Sequence, residues 1–455
     1  MGKAFEESKE RLAFEETLCR VSSFGIKPGL EVIYALLEEL GNPQAGLAVI
    51  HITGTNGKGS VSAMLESCLR RAGYRTGLFT SPHLISYRER FRVNGCLAEY
   101  GDLLELLGQA AEAADRVEER LGSRPTEFEL LTAMGFLYFQ RMKVEVLVLE
   151  VGMGGRYDST NVIPQPLLTI ITNVTLDHES FLGHSVREIA WEKAGIIKPG
   201  VPVVWAGRDP EALAVIEEER RKAGGGPLHE VTKECVWRRR PLGVKGQEIG
   251  ITTPEGAYPA VRLALGGDYQ GDNLAAVLRA LELLAPRLDR LTDEKKEGAG
   301  LCRESVYEGL AQTRWPCRLE LVAENPAVIL DGSHNPDGIR GLARWLKEQR
   351  ESFDQVILVM GMVADKDRLT AAGYLDGLAA NVIITKPLSS RAGSWEDLGQ
   401  GFQKNPAARI FYEEDCHKAL KRALAQAGPR DLVLCTGSFY LVGELRKNWQ
   451  TRDMF

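Results

Sequence analysis

Residues 47–73 read LAVIHITGTNGKGSVSAMLESCLRRAG. The apolar run at 47–53 has the length and composition of a buried strand. Past the glycines, Val61, Met64, Leu65, Cys68 and Leu69 recur at i, i+3, i+4, i+7 and i+8, which predicts a helix with one buried face, ended by Gly73. A buried strand turned into a helix by a glycine-rich loop leaves few architectures open. A second strand is expected at 76–80, and further Val/Ile/Leu runs at 146–151, 168–174 and 201–206 have the texture of a parallel sheet covered on both faces.

With 455 residues the chain exceeds one ordinary domain. From 231 to 265, short strand-like pieces separated by Pro-Leu-Gly, Thr-Pro-Glu-Gly and Gly-Gly predict a small antiparallel excursion. Residues 273–284 return to a helix, and the polar LTDEKKEGAG at 291–300 predicts an exposed loop. Thr313-Arg314-Trp315-Pro316 is read as a junction, beyond which runs at 327–330, 355–360, 381–385, 409–411 and 432–436 alternate with helices. Two domains are expected, 1–316 and 317–455.

A net charge of −6 gives no nucleic-acid footprint. No apolar stretch approaches the roughly 18 residues of a membrane span. The N-terminal MGKAFEESKERLAFEETL has no apolar signal region, and the eight cysteines form neither C-x-x-C nor a cluster with histidine. A cytoplasmic protein without zinc or thiol chemistry is expected.

The loop departs from the common phosphate-binding spacing G-x-x-x-x-G-K-[ST]. Ile52 stands where glycine belongs, and Gly59 separates Lys58 from the hydroxyl of Ser60. The working parts remain: backbone N–H groups at a helix start, a lysine charge and a hard oxygen for Mg²⁺. The other unusual residues also follow predicted strands, where α/β sheets bind ligands. They are Ser81-Pro82-His83, then Glu150 leading into Gly152-Met153-Gly154-Gly155-Arg156, then Asn173, Asp177 and His178. Ser81, Glu150 and His178 are candidate Mg²⁺ ligands; by residue type alone, a turn serine, a strand-end charge and a capping or core histidine stay open. The fold expected is α/β: a P-loop-type, mostly parallel N-terminal domain with an antiparallel excursion, and a smaller Rossmann-like C-terminal domain.

HITGTNGKGS, SPHL (81–84), LEVGMGGRYDSTN (149–161), LDHESFLG (176–183), WEKAGIIKPG (191–200), WPCRLE (315–320), DGSHNP (331–336) and GMVADKD (361–367) occur in this order. Together they resemble the folylpolyglutamate synthase family, which often doubles as dihydrofolate synthase and is related to the Mur ligases. The resemblance runs from about residue 20 to residue 446. It implies that Gly54, Thr55, Asn56, Gly57, Lys58, Gly59 and Ser60 hold ATP phosphates, with Asn273, Arg318 and Asp331 on the nucleotide and His334 close by. It implies Mg²⁺ on Ser60, Ser81, Glu150 and His178, and a second Mg²⁺ helped by Lys193, which in this family can be carbamylated. The pterin side would be formed by Phe24, Gly25, Ile26, Ser81, Pro82, Glu127, Phe128, Gly155, Arg156 and Asp158, and the glutamate end by Lys366 and residues 385–391. Two departures stand out: Tyr157 where the family often has leucine, and Cys317 where it has a small residue.

The chemistry so implied is activation of a carboxylate by the γ-phosphoryl of ATP, then attack by the amine of L-glutamate. Lys58, Arg318, His334 and Mg²⁺ would neutralise charge, and Asp158 is a candidate base. The acceptor would be a folate or dihydropteroate, and the protein a monomer. Two alternatives are a Mur-type ligase acting on a UDP-linked precursor and a non-catalytic nucleotide-binding module.

Overall fold

A computed structural model describes residues 2–23, 25, 29–289, 300–402 and 408–449. Apart from Gly300, the segment expected as a polar loop at 291–300 lies outside the described residues. The chain forms two compact units. The first holds Met1–Val236, Thr253–Gly256 and Asp272–Leu310; the second holds Trp237–Thr252, Ala257–Gly271 and Ala311–Phe455.

The first unit is built on eight strands: β1 (Val49–Thr53), β2 (Thr76–Phe79), β3 (Phe91–Val93), β4 (Cys96–Leu97), β5 (Val146–Glu150), β6 (Leu168–Ile171), β7 (Val203–Trp205) and β8 (Leu228–Glu230). Their order is β4-β3-β2-β5-β1-β6-β7-β8. Pairing is parallel except for β2–β3 and β3–β4. β1 lies between β5 and β6, with Ile52 beside Glu150 and Thr53 beside Ile171. The carboxyl ends of these strands therefore share one sheet edge, beside the point where the winding reverses.

Every residue of β1, β2, β5 and β6 is buried, as strands covered on both faces require. The helices Glu31–Glu39, Tyr100–Leu121 and Glu127–Arg141 cover one side with Leu36, Leu37, Leu103, Leu107, Leu131 and Phe139, all fully buried. Each such side chain contributes about 1.5–3 kcal/mol of transfer free energy. Thr126 starts the helix Glu127–Arg141 with a capping box: Glu129 N–H donates to its hydroxyl, and its own N–H to the Glu129 carboxylate.

The antiparallel excursion is a separate three-stranded sheet of β9 (Val236–Pro241), β10 (Gln247–Thr253) and β11 (Gly256–Leu263), ordered β11-β10-β9. The second unit's main sheet comprises β12 (Glu320–Glu324), β13 (Ala327–Asp331), β14 (Val356–Met360), β15 (Asn381–Thr385), β16 (Arg409–Glu413) and β17 (Leu432–Thr436). In the order β12-β13-β17-β14-β15-β16, only the edge strand β12 is antiparallel. The expected α/β class holds in both units.

Candidate active site

The loop after β1 is shaped by the segment after β6. Thr55 N–H donates to Asn173 O at 2.9 Å and Asn56 N–H to Asn173 Oδ1 at 2.7 Å. The Thr172 hydroxyl donates to Asn56 O at 2.6 Å, and Thr175 N–H to Thr55 Oγ1 at 3.0 Å. Two glycines are required. A Cβ on Gly54 would stand 1.8 Å from Thr172 Oγ1; one on Gly57, at φ +90, would stand 2.6 Å from Asn273 Oδ1. Asn273 thus lies against the loop, carried there by the helix Gln270–Leu288.

Gly57 is the N-cap of the helix Lys58–Arg71 and brings no side chain of its own to the first N–H groups of that helix. Lys58 Nζ donates to Gly54 O at 2.8 Å and Thr55 O at 3.2 Å, which holds the ammonium over the loop. Ser60 is buried in the first turn. Peptide N–H groups, a helix dipole and a tethered ammonium make an anion cradle.

At the end of β5, Glu150 is buried and its Oε2 accepts from Ser81 N–H at 3.4 Å. Two of the expected Mg²⁺ ligands are therefore neighbours across strand ends. His178, in the left-handed region at φ +52, is half-exposed, and its N–H donates to Asp177 Oδ1 at 2.8 Å. Among the described residues no cluster of three or more His, Cys, Asp or Glu forms a metal cage. The donor set of one carboxylate, one imidazole and hydroxyls suits Mg²⁺, which takes few protein oxygens and completes its shell with water and phosphate.

Lys193 lies on the helix Val186–Ala194 and is buried. Burial, reinforced by the nearby Lys58 charge, pushes its pKa down to about 7, while Asp177, Asp158 and Glu192 pull the other way. The loop 152–156 packs against this helix. A Cβ on Gly155 would meet the carbonyls of Glu192 and Lys193 at 2.9 Å, and Arg156 N–H donates to Glu192 O. The Arg156 guanidinium lies 3.8 Å from the Trp191 ring centroid and bonds Glu219 at 2.6 Å. Tyr157 is about half exposed, 6.5 Å from Trp191.

Asp158 is buried, and burial raises its pKa. Its Oδ2 accepts from Met153 N–H, and its Oδ1 accepts from both the N–H and the hydroxyl of Thr160. Phe128 lies under Gly152, whose Cβ would stand 2.5 Å from the ring. Glu127 accepts from the Tyr87 hydroxyl at 3.0 Å. Ser23 bridges to Thr126 at the start of that helix, and a Cβ on Gly25 would meet nothing within 4 Å; Phe24 and Ile26 lie outside the described residues. Pro82 is exposed.

Several contacts around this site have no signal in the sequence, although some of their residues lie inside the quoted motifs. Arg90 donates to His83 Nδ1 at 2.9 Å, and the His83 ring lies 4.2 Å from that of Tyr87. His83 falls in the Ser81-Pro82-His83 stretch, but nothing in the sequence pairs it with Arg90 or Tyr87. Thr53 donates to Gly154 O at 2.6 Å, and His51 bonds Thr160; both read from sequence only as strand interior.

In the second unit, Asp331 ends β13 fully buried and accepts from Leu319 N–H and Ser333 N–H, both at 3.0 Å. The Arg318 guanidinium lies 4.8 Å and the His334 ring 5.0 Å from the Phe439 ring centroid. Cys317 is buried at φ +55, a conformation that glycine adopts at least cost. Arg391 pairs with Asp365 at 3.0 Å and donates to the Tyr440 hydroxyl at 3.1 Å.

Comparison with known proteins covers both units. Residues 52–281 match the Mur ligase middle domain, and residues 317–439 match the Mur ligase glutamate ligase domain. The dihydrofolate synthase/folylpolyglutamate synthase of Bacillus subtilis is 37% identical over 427 residues, covering 93% of this chain and 95% of the relative. The Mycobacterium tuberculosis folylpolyglutamate synthase complexed with ADP superposes with a TM-score of 0.88 at 30% identity, over 99% of this chain and 100% of that one. E. coli FolC in complex with DHPP and ADP gives a TM-score of 0.81 at 27% identity, over 97% and 98%. Sequence and fold agree along almost the whole length, and the chain belongs to the folylpolyglutamate synthase/dihydrofolate synthase family of ATP-dependent Mur-type ligases.

Proposed function

We propose that this chain joins L-glutamate to folates with conversion of ATP to ADP and phosphate, and that dihydropteroate is a second acceptor. The observation that carries the reading is the convergence at one sheet edge of the Lys58 loop, the Ser81–Glu150 pair and the 152–158 loop around Lys193. The E. coli relative was solved with DHPP and ADP, which supports a pterin acceptor.

The acceptor's carboxylate attacks the γ-phosphorus and ADP leaves. The amine of glutamate then attacks the acyl phosphate, phosphate leaves, and the ammonium proton passes to a base. Lys58 and the N–H groups of the loop stabilise the charge that shifts onto the β-phosphate oxygens. Asn273, against Gly57, is placed to touch the nucleotide. On the second unit, Arg318, Asp331 and His334 are proposed nucleotide contacts, and Asp331 acts by bonding Leu319 and Ser333 around Arg318. Ser60, Ser81, Glu150 and His178 would hold Mg²⁺, which when bound neutralises phosphate charge. Lys193 is proposed to be carbamylated. CO₂ adds only to a neutral amine, and a pKa of about 7 keeps much of it neutral. Gly155 and Arg156 are proposed to receive the acceptor, with Glu127 and Phe128. Asp158 has both oxygens bonded within the loop, so its proposed part is to hold that loop rather than to take the proton. A cytoplasmic monomer is proposed; among the described residues no helix is long and apolar enough to cross a membrane.

The test is an assay of the purified protein with dihydropteroate, tetrahydrofolate and a UDP-linked muropeptide precursor side by side, products separated by mass. ADP formation dependent on both glutamate and a pterin acceptor is the expected result. Turnover of the UDP-linked precursor alone, or ATP binding without ligation, would overturn the reading.

A further inference from the structure

The sheet core contains a polar chain that the ligation chemistry described above does not use. His51 sits in the middle of β1, fully buried, with Nε2 2.9 Å from Thr160 Oγ1. The same hydroxyl lies 2.5 Å from Asp158 Oδ1, on which Thr160 N–H also converges at 3.0 Å.

The proton order follows from counting. The Asp158 carboxylate meets at least three donors, among them Met153 N–H, Thr160 N–H and the Thr160 hydroxyl. Bonded in this way it acts as an acceptor. The Thr160 hydroxyl has one hydrogen, given to Asp158, so it accepts from His51. His51 therefore carries its hydrogen on Nε2, and its buried Nδ1 is left without a partner. Burial keeps the ring neutral, with a pKa of about 3. A leucine here would fill the strand equally well without the cost of an unpaired nitrogen, about 1–3 kcal/mol. A polar residue buried here at such a cost points to its side chain's bond to Thr160.

A second tie runs parallel. Thr53, two residues along β1, donates to Gly154 O at 2.6 Å. The strand that delivers the phosphate loop thus grips the 152–160 loop at both of its ends.

We propose that His51 and Thr160 are positioning residues for the acceptor: acting through Asp158, they fix the 152–156 loop in the form that receives the pterin acceptor. The proposal rests on the assignment of Gly155 and Arg156 to that acceptor. Loss of the Thr160 hydroxyl leaves Asp158 Oδ1 with the Thr160 N–H as its remaining donor there, and so loosens the carboxylate whose other oxygen holds Met153. Acceptor binding then suffers while the 54–60 loop, held by residues 172–175, keeps its shape.

The experiment compares Thr160→Val, which keeps shape, with Thr160→Ser, which keeps the hydroxyl, and His51→Gln with His51→Leu. KM for tetrahydrofolate, KM for ATP and hydrogen exchange of the 152–160 peptide are measured on each. Thr160→Val and His51→Leu are expected to raise the folate KM about tenfold, the worth of one buried hydrogen bond, and to speed exchange at 152–160. ATP KM stays within about twofold, and Thr160→Ser and His51→Gln stay near wild type. A folate KM within twofold of wild type for Thr160→Val, unchanged exchange at 152–160, or equal losses for ATP and folate would each overturn the proposal. A wild-type protein inactive with every pterin would instead sink the functional reading, and the exchange data would still decide whether the chain holds the loop.

Discussion

The side-chain amide of Asn273 lies against Gly57, so closely that a single methyl on Gly57 would come within 2.6 Å of Asn273 Oδ1. The loop that begins the helix Lys58–Arg71 is thus flanked by a residue of the helix Gln270–Leu288.

Gly57→Ala should therefore damage ATP binding more than stability. The left-handed backbone costs a non-glycine residue about 1–2 kcal/mol, and the amide of Asn273 must also move. The expected result is an ATP KM raised at least about tenfold with a modest fall in melting temperature. A variant with wild-type ATP KM would show that the contact does not shape the site.

Lys58→Ala removes the ammonium tethered to Gly54 and Thr55. Since the loop is also held by Thr172, Asn173 and Thr175, the fold should persist. Ligation should drop roughly a hundredfold or more, the usual cost of losing one preorganised donor to transition-state charge. Circular dichroism and glutamate-dependent ADP release check the two halves of this expectation.

EDTA should abolish turnover, and added Mg²⁺ should restore it. Glu150→Gln, which keeps the shape but removes the charge beside Ser81, should raise the Mg²⁺ concentration for half-maximal rate at least about tenfold. An unshifted Mg²⁺ titration would remove Glu150 from the ligand set.

Acid should destabilise the first unit through His51. Its pKa lies at about 3 when folded and near 6.5 when unfolded, because burial disfavours the cation. Between those values the unfolded chain binds a proton that the folded chain does not, so stability falls as pH drops from 6.5 toward 3. His83 behaves in the same way and titrates in both proteins of the comparison. His51→Gln should lose less stability than wild type between pH 7 and pH 4.5, by on the order of 2–3 kcal/mol. Urea unfolding at the two pH values measures the difference, and parallel losses would remove His51 as a source.

The architecture was legible because its signal is local. Each of β1, β2, β5, β6 and β7 falls inside a strand segment read from the sequence, one to three residues shorter at one or both ends. The short strands β3, β4 and β8 escaped because two or three residues carry no periodicity. The antiparallel excursion was recognised by its turns, but its place in the compact units was not. That depends on which surfaces pack, as where Gln247 in β10 donates to Leu265 O and Gly267 O.

The candidate site divides in the same way. Glycines that admit no Cβ, a lysine at a helix start and polar residues at strand ends are written into the chain as short motifs, because backbone conformation and residue chemistry are properties of neighbours in sequence. Family membership followed from their order. What the sequence could not hold is which distant groups meet. His51 looks like any strand residue until the sheet sets it beside Thr160, and Lys193 looks like any helix lysine until burial and Lys58 take its charge into question. Hydrogen bonding and desolvation act over a few ångströms of space, and only the folded chain decides which residues lie within them.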